Sequence, residues 1–217
     1  MDKETRTFSE DIEIRVNEKG KEVISGYAIV FNQESRNLGG FVEYISPEAV
    51  RDADMSDVVA LFNHDQNLIL GRTPGTLTLE TDEHGVRYFI DPPDTTTGND
   101  LKVSIKRGDV KGSSFGFTVK ANGDVWEKPN RKGDPYKRTI TAFDKIWDVS
   151  PVVTPAYVQT DTTVAKRELG MLKDQDERQE TEALELENAK RKLKINQEQE
   201  QLTLKLKLMG KTLKGDK

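Results

Sequence analysis

The chain has no cysteine and only two histidines in 217 residues. The first absence removes a thiol nucleophile, a disulfide framework and any zinc site built on sulfur ligands. It fits a reducing compartment without demanding one. The second means that chemistry needing imidazole must use His64 or His84. No apolar run approaches the ~20 residues of a membrane-spanning helix, so no membrane association is expected. Met1-Asp2-Lys3-Glu4 is charged and has no apolar h-region, so no signal peptide is expected either. A basic excess is also missing: the net charge is −5. Nucleic acid binds through a basic footprint and is therefore not an expected partner. There is no Gly-rich phosphate loop of the Walker kind and no His-Glu-x-x-His spacing. No metal and no cofactor is expected.

Apolar residues make up 34% and charged residues 33%. That is more polar than an ordinary globule. A mixed chain accounts for it, with one normal domain over residues 1–163 and one solvated segment over 164–217.

The first part reads as β-rich. Ile12, Ile14 and Val16 alternate with charged residues, as in a half-buried strand. Turn chemistry over Asn17 to Lys21 joins it to a second strand, Glu22 to Phe31. Ser46-Pro47-Glu48 has the cap, the proline and the acid of a short helix start, with an end near Asp54. Val58 to Phe62 is a compact apolar run. Thr76 to Glu80 and Val86 to Ile90 alternate around Asp82-Glu83-His84-Gly85, which predicts a hairpin. Asp91 to Gly98 reads as a loop. Asn99 to Arg107 reads as a helix with Leu101, Val103 and Ile105 partly inward, closed by Gly108. Further strands are expected over Ser114 to Lys120, Tyr136 to Phe143 and Lys145 to Val149. Pro151 and Pro155 are expected to end the regular structure.

Beyond Val164 aromatics and prolines disappear, and Glu, Gln, Lys and Leu dominate. These are good helix formers. Leu202, Leu206, Met209 and Leu213 follow a 4-3-4 spacing, one face of a helix or a coiled-coil seam. Leu202, Leu204, Leu206 and Leu208 equally follow strand alternation. Length and composition favour a long helix. The tail is either a solvated, partly disordered segment or an arm that docks a partner helix.

Three places can carry chemistry. Gly112-Ser113-Ser114-Phe115-Gly116-Phe117 puts two hydroxyls at the mouth of a strand between glycines, which allow close approach of a substrate. Alone this is also ordinary turn chemistry. His64 follows a buried strand among polar neighbours. It suits a general base, or a hydrogen-bonded structural role. His84 sits in a tight turn and reads as exposed. Asp148 lies between apolar residues in a strand. A buried carboxylate there needs a partner, and an imidazole held in one tautomer is such a partner. An edge-strand acid facing solvent is the plainer alternative.

The order of these pieces resembles the prohead maturation proteases of tailed bacteriophages. The resemblance rests on Gly26-Tyr27-Ala28 with Phe31, Phe41-Val42-Glu43 before Ser46-Pro47, and Asn63-His64-Asp65 before Leu70-Gly71-Arg72 and Gly75-Thr76-Leu77. It continues with Gly108 before Gly112-Ser113-Ser114-Phe115-Gly116-Phe117. It ends on Asp148-Val149-Ser150-Pro151-Val152 and Pro155-Ala156-Tyr157. What it implies is an α+β fold distantly like the herpesvirus capsid protease: a β-barrel-like core ringed by a few helices. A long helical or partly disordered tail would follow.

The resemblance also implies site residues. The family histidine falls on His64, and the family serine, directly before Phe-Gly-Phe, falls on Ser114, with Ser113 a neighbour. The third member falls on Asp148, where many relatives carry Glu. Asp65 and Asp144 are the fallback positions. Oxyanion donors are expected as backbone N–H groups beside Ser114 or at Gly71-Arg72. The implied activity is serine endopeptidase cleavage of scaffold, or of the scaffold-like segment of the major capsid protein, and of the chain itself. The implied partners are those proteins; self-association is left open, because no interface is legible in the sequence. The implied place is the assembling procapsid in the host cytoplasm. The alternative is a non-catalytic scaffolding protein that works through the tail. A metal-dependent hydrolase is a third class, without a supporting motif.

Overall fold

The computed structural model describes residues 3–8, 12–131, 133–153 and 162–212, with 203–212 in backbone only. The chain divides into two compact units, Met1–Arg167 and Glu168–Lys217. The fold is mixed α+β, with twelve strands in three open sheets and two α-helices among the described residues.

The largest sheet carries the candidate site residues. Its order is β1 (Glu4–Phe8), β9 (Gly112–Val119), β12 (Phe143–Val152), β5 (Val59–Phe62) and β6 (Asp65–Arg72). β9 pairs antiparallel with both β1 and β12, while β12 and β5 run parallel. A four-stranded sheet orders β2 (Glu13–Val16), β3 (Glu22–Val30), β8 (Gly85–Ile90) and β7 (Leu77–Thr81). A three-stranded sheet orders β10 (Asp124–Glu127), β11 (Tyr136–Ile140) and β4 (Phe41–Ile45). One apolar cluster takes residues from all three sheets, including Ile24, Tyr88, Phe115, Phe117, Val149, Ile45 and Ile140.

The expected strands and the β7–β8 hairpin are present, and four strands are added: β1, β4, β6 and β10. β6 is exposed over most of its length, so no apolar alternation marks it. β1 hides for a different reason. Its inward positions are the charged Glu4 and Arg6. Arg6 donates to Glu43 Oε1 at 2.6 Å and to Glu4 Oε2 at 2.6 Å. Arg138 donates to Glu43 Oε2 at 3.0 Å and to Asp124 Oδ2 at 2.6 Å. Two guanidinium groups among three carboxylates tie β1 to β4, β10 and β11. Burial by itself would lower both arginine pKa values, but the neighbouring carboxylates raise them, so both stay charged.

Four expectations are corrected. The helix after Ser46 is a single 3-10 turn, Pro47–Val50, and the Ser46 hydroxyl meets Glu48 Oε2 instead of capping the backbone. The helix α1 (Thr96–Arg107) starts three residues early, because Thr95 in the preceding loop accepts from Gly98 N–H and caps it. Gly108 closes α1 at φ 80° as expected. Leu101 and Ile105 are buried on α1, but Val103 faces solvent at 55% exposure. Pro151 does not end β12. The parallel pairing with β5 stops at Val149, so on that side the ladder no longer asks residue 151 for an N–H. Pro155, and with it the Pro155-Ala156-Tyr157 motif, lies outside the described residues.

In the second unit the backbone resolves the strand-or-helix ambiguity of the leucine run. One helix, α2, covers Thr163–Thr212. Of the expected seam only Leu202 has a described side chain, and it is exposed. Leu206, Met209 and Leu213 lie outside the described side chains.

Candidate active site

The β9–β12 ladder supplies two thirds of the site. Strand alternation turns Ser113, Phe115 and Phe117 toward the core, where the two rings stack at 4.8 Å. Ser113 Oγ is held there by the Tyr88 hydroxyl at 2.8 Å. Ser114 and Gly116 face the other way. In register, Ser114 lies opposite Ser150, and Gly116 lies opposite Asp148. A register shift between Ile146 and Asp148 bulges the strand. It leaves Trp147 exposed while Ile146, Asp148, Val149 and Ser150 are all buried. Bulges re-aim side chains in this way.

The third part comes from the β5–β6 hairpin. Phe62 pairs with Asp65, so the loop between them is only Asn63-His64. Both loop residues have positive φ, 53° and 60°. A two-residue loop of this kind favours Asn-Gly, and a non-glycine residue held there costs of order 1–3 kcal/mol. The end of β12 holds the turn. Asn63 N–H donates to Pro151 O at 3.1 Å, and Val153 N–H to Asn63 Oδ1 at 3.1 Å. His64 N–H donates to Ser150 Oγ at 3.3 Å.

These supports bring three side chains into line. His64 Nε2 is 2.6 Å from Ser114 Oγ. His64 Nδ1 meets Asp148 Oδ1. The Lys3 ammonium pairs with Asp148 Oδ2 at 2.5 Å. Burial alone would raise the Asp148 pKa, but the His64 hydrogen bond and charge and the Lys3 ammonium overcome it. The carboxyl is thereby held below the usual carboxylate range. The sequence pattern alone does not single out Ser150. Its Oγ donates to Asp148 Oδ1 at 3.3 Å and sits 3.4 Å from His64 Nδ1. Only its place two residues after Asp148, on the same strand face, could have signalled it.

The fallback acids lie elsewhere. Asp65 is exposed and accepts from Asn67 N–H and Nδ2, both at 2.9 Å. Asp144 is exposed and accepts from the Thr118 hydroxyl at 3.5 Å. His84 is in the β7–β8 turn, with its ring edge-on to Tyr27. The Arg72 N–H, one expected oxyanion donor, is taken by Thr76 Oγ1 at 3.0 Å. Among the described residues no group of three His, Cys, Asp or Glu is arranged to hold a metal, and no helix is long and apolar enough to cross a membrane.

A hydroxyl, an imidazole and a carboxylate in this sequence of contacts can perform acyl transfer. Neither the curated proteins nor the solved structures hold a match to the chain. The family model described as Caudovirus prohead serine protease matches residues 10–175, which include all three side chains. The chain therefore belongs to the caudovirus prohead serine proteases, serine endopeptidases that act in capsid maturation within the assembling procapsid.

Proposed function

We propose that Ser114 is the nucleophile, His64 its general base and Asp148 the group that orients His64. The observation that carries this is the 2.6 Å contact between His64 Nε2 and Ser114 Oγ, backed by Asp148 on Nδ1. With Nδ1–H donating to the carboxylate, Nε2 keeps its lone pair for the Ser114 proton. As that proton moves to Nε2, Oγ bonds to the peptide carbonyl carbon. The tetrahedral adduct expels the amine, which takes the proton from His64. Water then attacks the acyl-enzyme, with His64 again as base, and releases the carboxylic acid and the Ser114 hydroxyl. An ionised Asp148 stabilises the imidazolium at both stages.

The substrates in this reading are scaffold, or the scaffold-like segment of the major capsid protein, and the chain itself, within the host cytoplasm. Residues 1–163 form the protease domain and 164–217 a tail. The apolar cluster shared by all three sheets supports a wrapped, barrel-like core of the herpesvirus capsid protease kind. The exposed, charged face of α2 supports a tail that brings the protease into the growing shell.

Intact-mass spectrometry tests the reading. The chain and its Ser114→Ala variant are each co-expressed with the major capsid protein. Defined truncation of the capsid protein or of the chain, lost in the variant, is the expected result. Identical truncation in both removes Ser114 as nucleophile.

A further inference from the structure

Ser114 has no exposed surface. A nucleophile that must reach a polypeptide carbonyl cannot work from under a cover, and the contacts identify the cover as the Lys3–Phe8 segment. Thr7 lies opposite Ser114 in the β1–β9 register. Its hydroxyl donates to Ser114 Oγ at 3.1 Å. The Ser114 hydroxyl donates to the Arg6 carbonyl oxygen at 2.8 Å. Lys3 pairs with Asp148. One short segment thus touches both ends of the Ser–His–Asp line.

The arrangement has the form of a bound substrate without its reactivity. β1 adds to the edge of β9 as an extended antiparallel strand, the way peptides dock on sheet edges. In attack, however, a scissile carbonyl turns its oxygen toward oxyanion donors and its carbon toward the nucleophile. Here the Arg6 oxygen receives the nucleophile's own hydrogen bond. Ser114 has one hydroxyl proton and two acceptors for it, His64 Nε2 and Arg6 O. A proton given to Arg6 O is not available to the base. The segment is also fastened from its other face, by Glu4 and Arg6 in the buried charge cluster and by Phe8 stacked on Phe115. It lies outside the family match, which starts at residue 10.

We infer that Lys3–Phe8 is a built-in pseudosubstrate: it occupies the β9 edge on which an extended substrate strand docks, and holds Ser114 silent until it is displaced. The inference rests on Ser114 being the nucleophile. The substrate class that follows is an unfolded, strand-forming polypeptide segment that competes with β1 for β9.

A disulfide across the β1–β9 ladder tests it. Phe8 lies opposite Ser113, and opposed residues in an antiparallel ladder are about 4.5–5.5 Å apart at Cα, within disulfide reach. The chain has no other cysteine. In the double variant Phe8→Cys, Ser113→Cys, labelling of Ser114 by a fluorophosphonate is followed by intact mass, oxidised and then reduced. One protein serves as its own control for folding. The expected result is labelling at least ~10-fold slower when oxidised, recovered with dithiothreitol. Equal, measurable rates in the two states overturn the inference. Arg6→Ala, which loosens the anchor and leaves every group at the triad in place, is expected to label several-fold faster than the parent. A folded Arg6→Ala that labels no faster also overturns it. No labelling in the reduced double variant and in folded Arg6→Ala removes Ser114 as nucleophile, a failure of the protease mechanism rather than of the strap alone.

Discussion

Gly116 stands directly across the β9–β12 ladder from Asp148, and a side chain there would run into the carboxylate. A Cβ built on Gly116 meets Asp148 Oδ2 and the Lys3 side chain before anything else. The glycine is required by its neighbours, because its φ is ordinary. It leaves the space in which the carboxylate reaches back to His64. Gly116→Ala is therefore expected to displace Asp148 while leaving Ser114 on its strand. Crowding of this kind costs about 1–3 kcal/mol. Urea unfolding should show that loss, and kcat on a capsid-derived substrate should fall far more than KM changes. A variant with parental kcat would mean that the Asp148 position is not needed.

Ser150 stands opposite Ser114 and bonds both Asp148 and the His64 backbone, which in the proposed mechanism makes it a positioning residue. Ser150→Ala removes one bond to Asp148 and one to the His64 backbone. Each is worth about 0.5–1.5 kcal/mol. The expected outcome is a kcat about 10-fold lower with a small loss of stability. Asp148→Asn, which supports the wrong His64 tautomer, should fall further, on the order of 10⁴-fold. If the two variants are equally impaired in steady-state assays, Ser150 is doing more than positioning.

How far the sequence revealed this site depended on the kind of signal each residue leaves. Asp148 is conspicuous because an acid between apolar residues breaks strand patterning. Ser114 and His64 needed the ordered resemblance, since a Gly-flanked serine and a lone histidine are each common. The turn that presents His64 uses positive φ at Asn63 and His64, where turn chemistry favours glycine at the second position, so no propensity pointed to it. β1 was invisible for a physical reason: its inward side chains are Glu4 and Arg6, charges that only a partnered burial tolerates. Reading apolar alternation finds strands that bury hydrocarbon. It passes over one that buries an ion cluster, and here that strand covers Ser114.

The Lys3–Asp148 pair predicts a shift in acid stability. Asp148 has its pKa depressed in the folded chain. The stability this confers is fully present above the unfolded carboxylate value, about 3.9. It is lost as pH falls through the lower folded value. Lys3→Met removes the ammonium and raises the folded pKa toward the unfolded one, so the stability lost on acidification shrinks. At neutral pH the variant should be less stable than the parent, and at pH low enough to protonate Asp148 the two should converge. Chemical denaturation across this pH range measures the difference. In an Asp148→Asn background Lys3→Met should produce no pH-dependent difference. A difference that persists there would assign the effect to another acid.

The tail prediction separates delivery from chemistry. Ala165 and Leu169 are buried, whereas Leu184, Leu186, Leu193 and Ile195 of α2 are exposed. Truncation after Gln175 keeps the buried side chains and the whole matched span, residues 10–175. It removes those exposed side chains, the acidic stretch up to Glu187 and the basic stretch Lys190 to Lys194. A truncated chain should cleave a purified capsid-protein substrate at the parental rate, because none of the residues at Ser114, His64 or Asp148 is removed. It should be depleted from procapsids when co-expressed with the capsid protein, as measured by quantitative mass spectrometry of purified shells. Normal packaging with normal cleavage would show that α2 beyond Gln175 does not carry the protease into the shell. Normal packaging with lost cleavage would instead make this part of α2 a support for the catalytic unit.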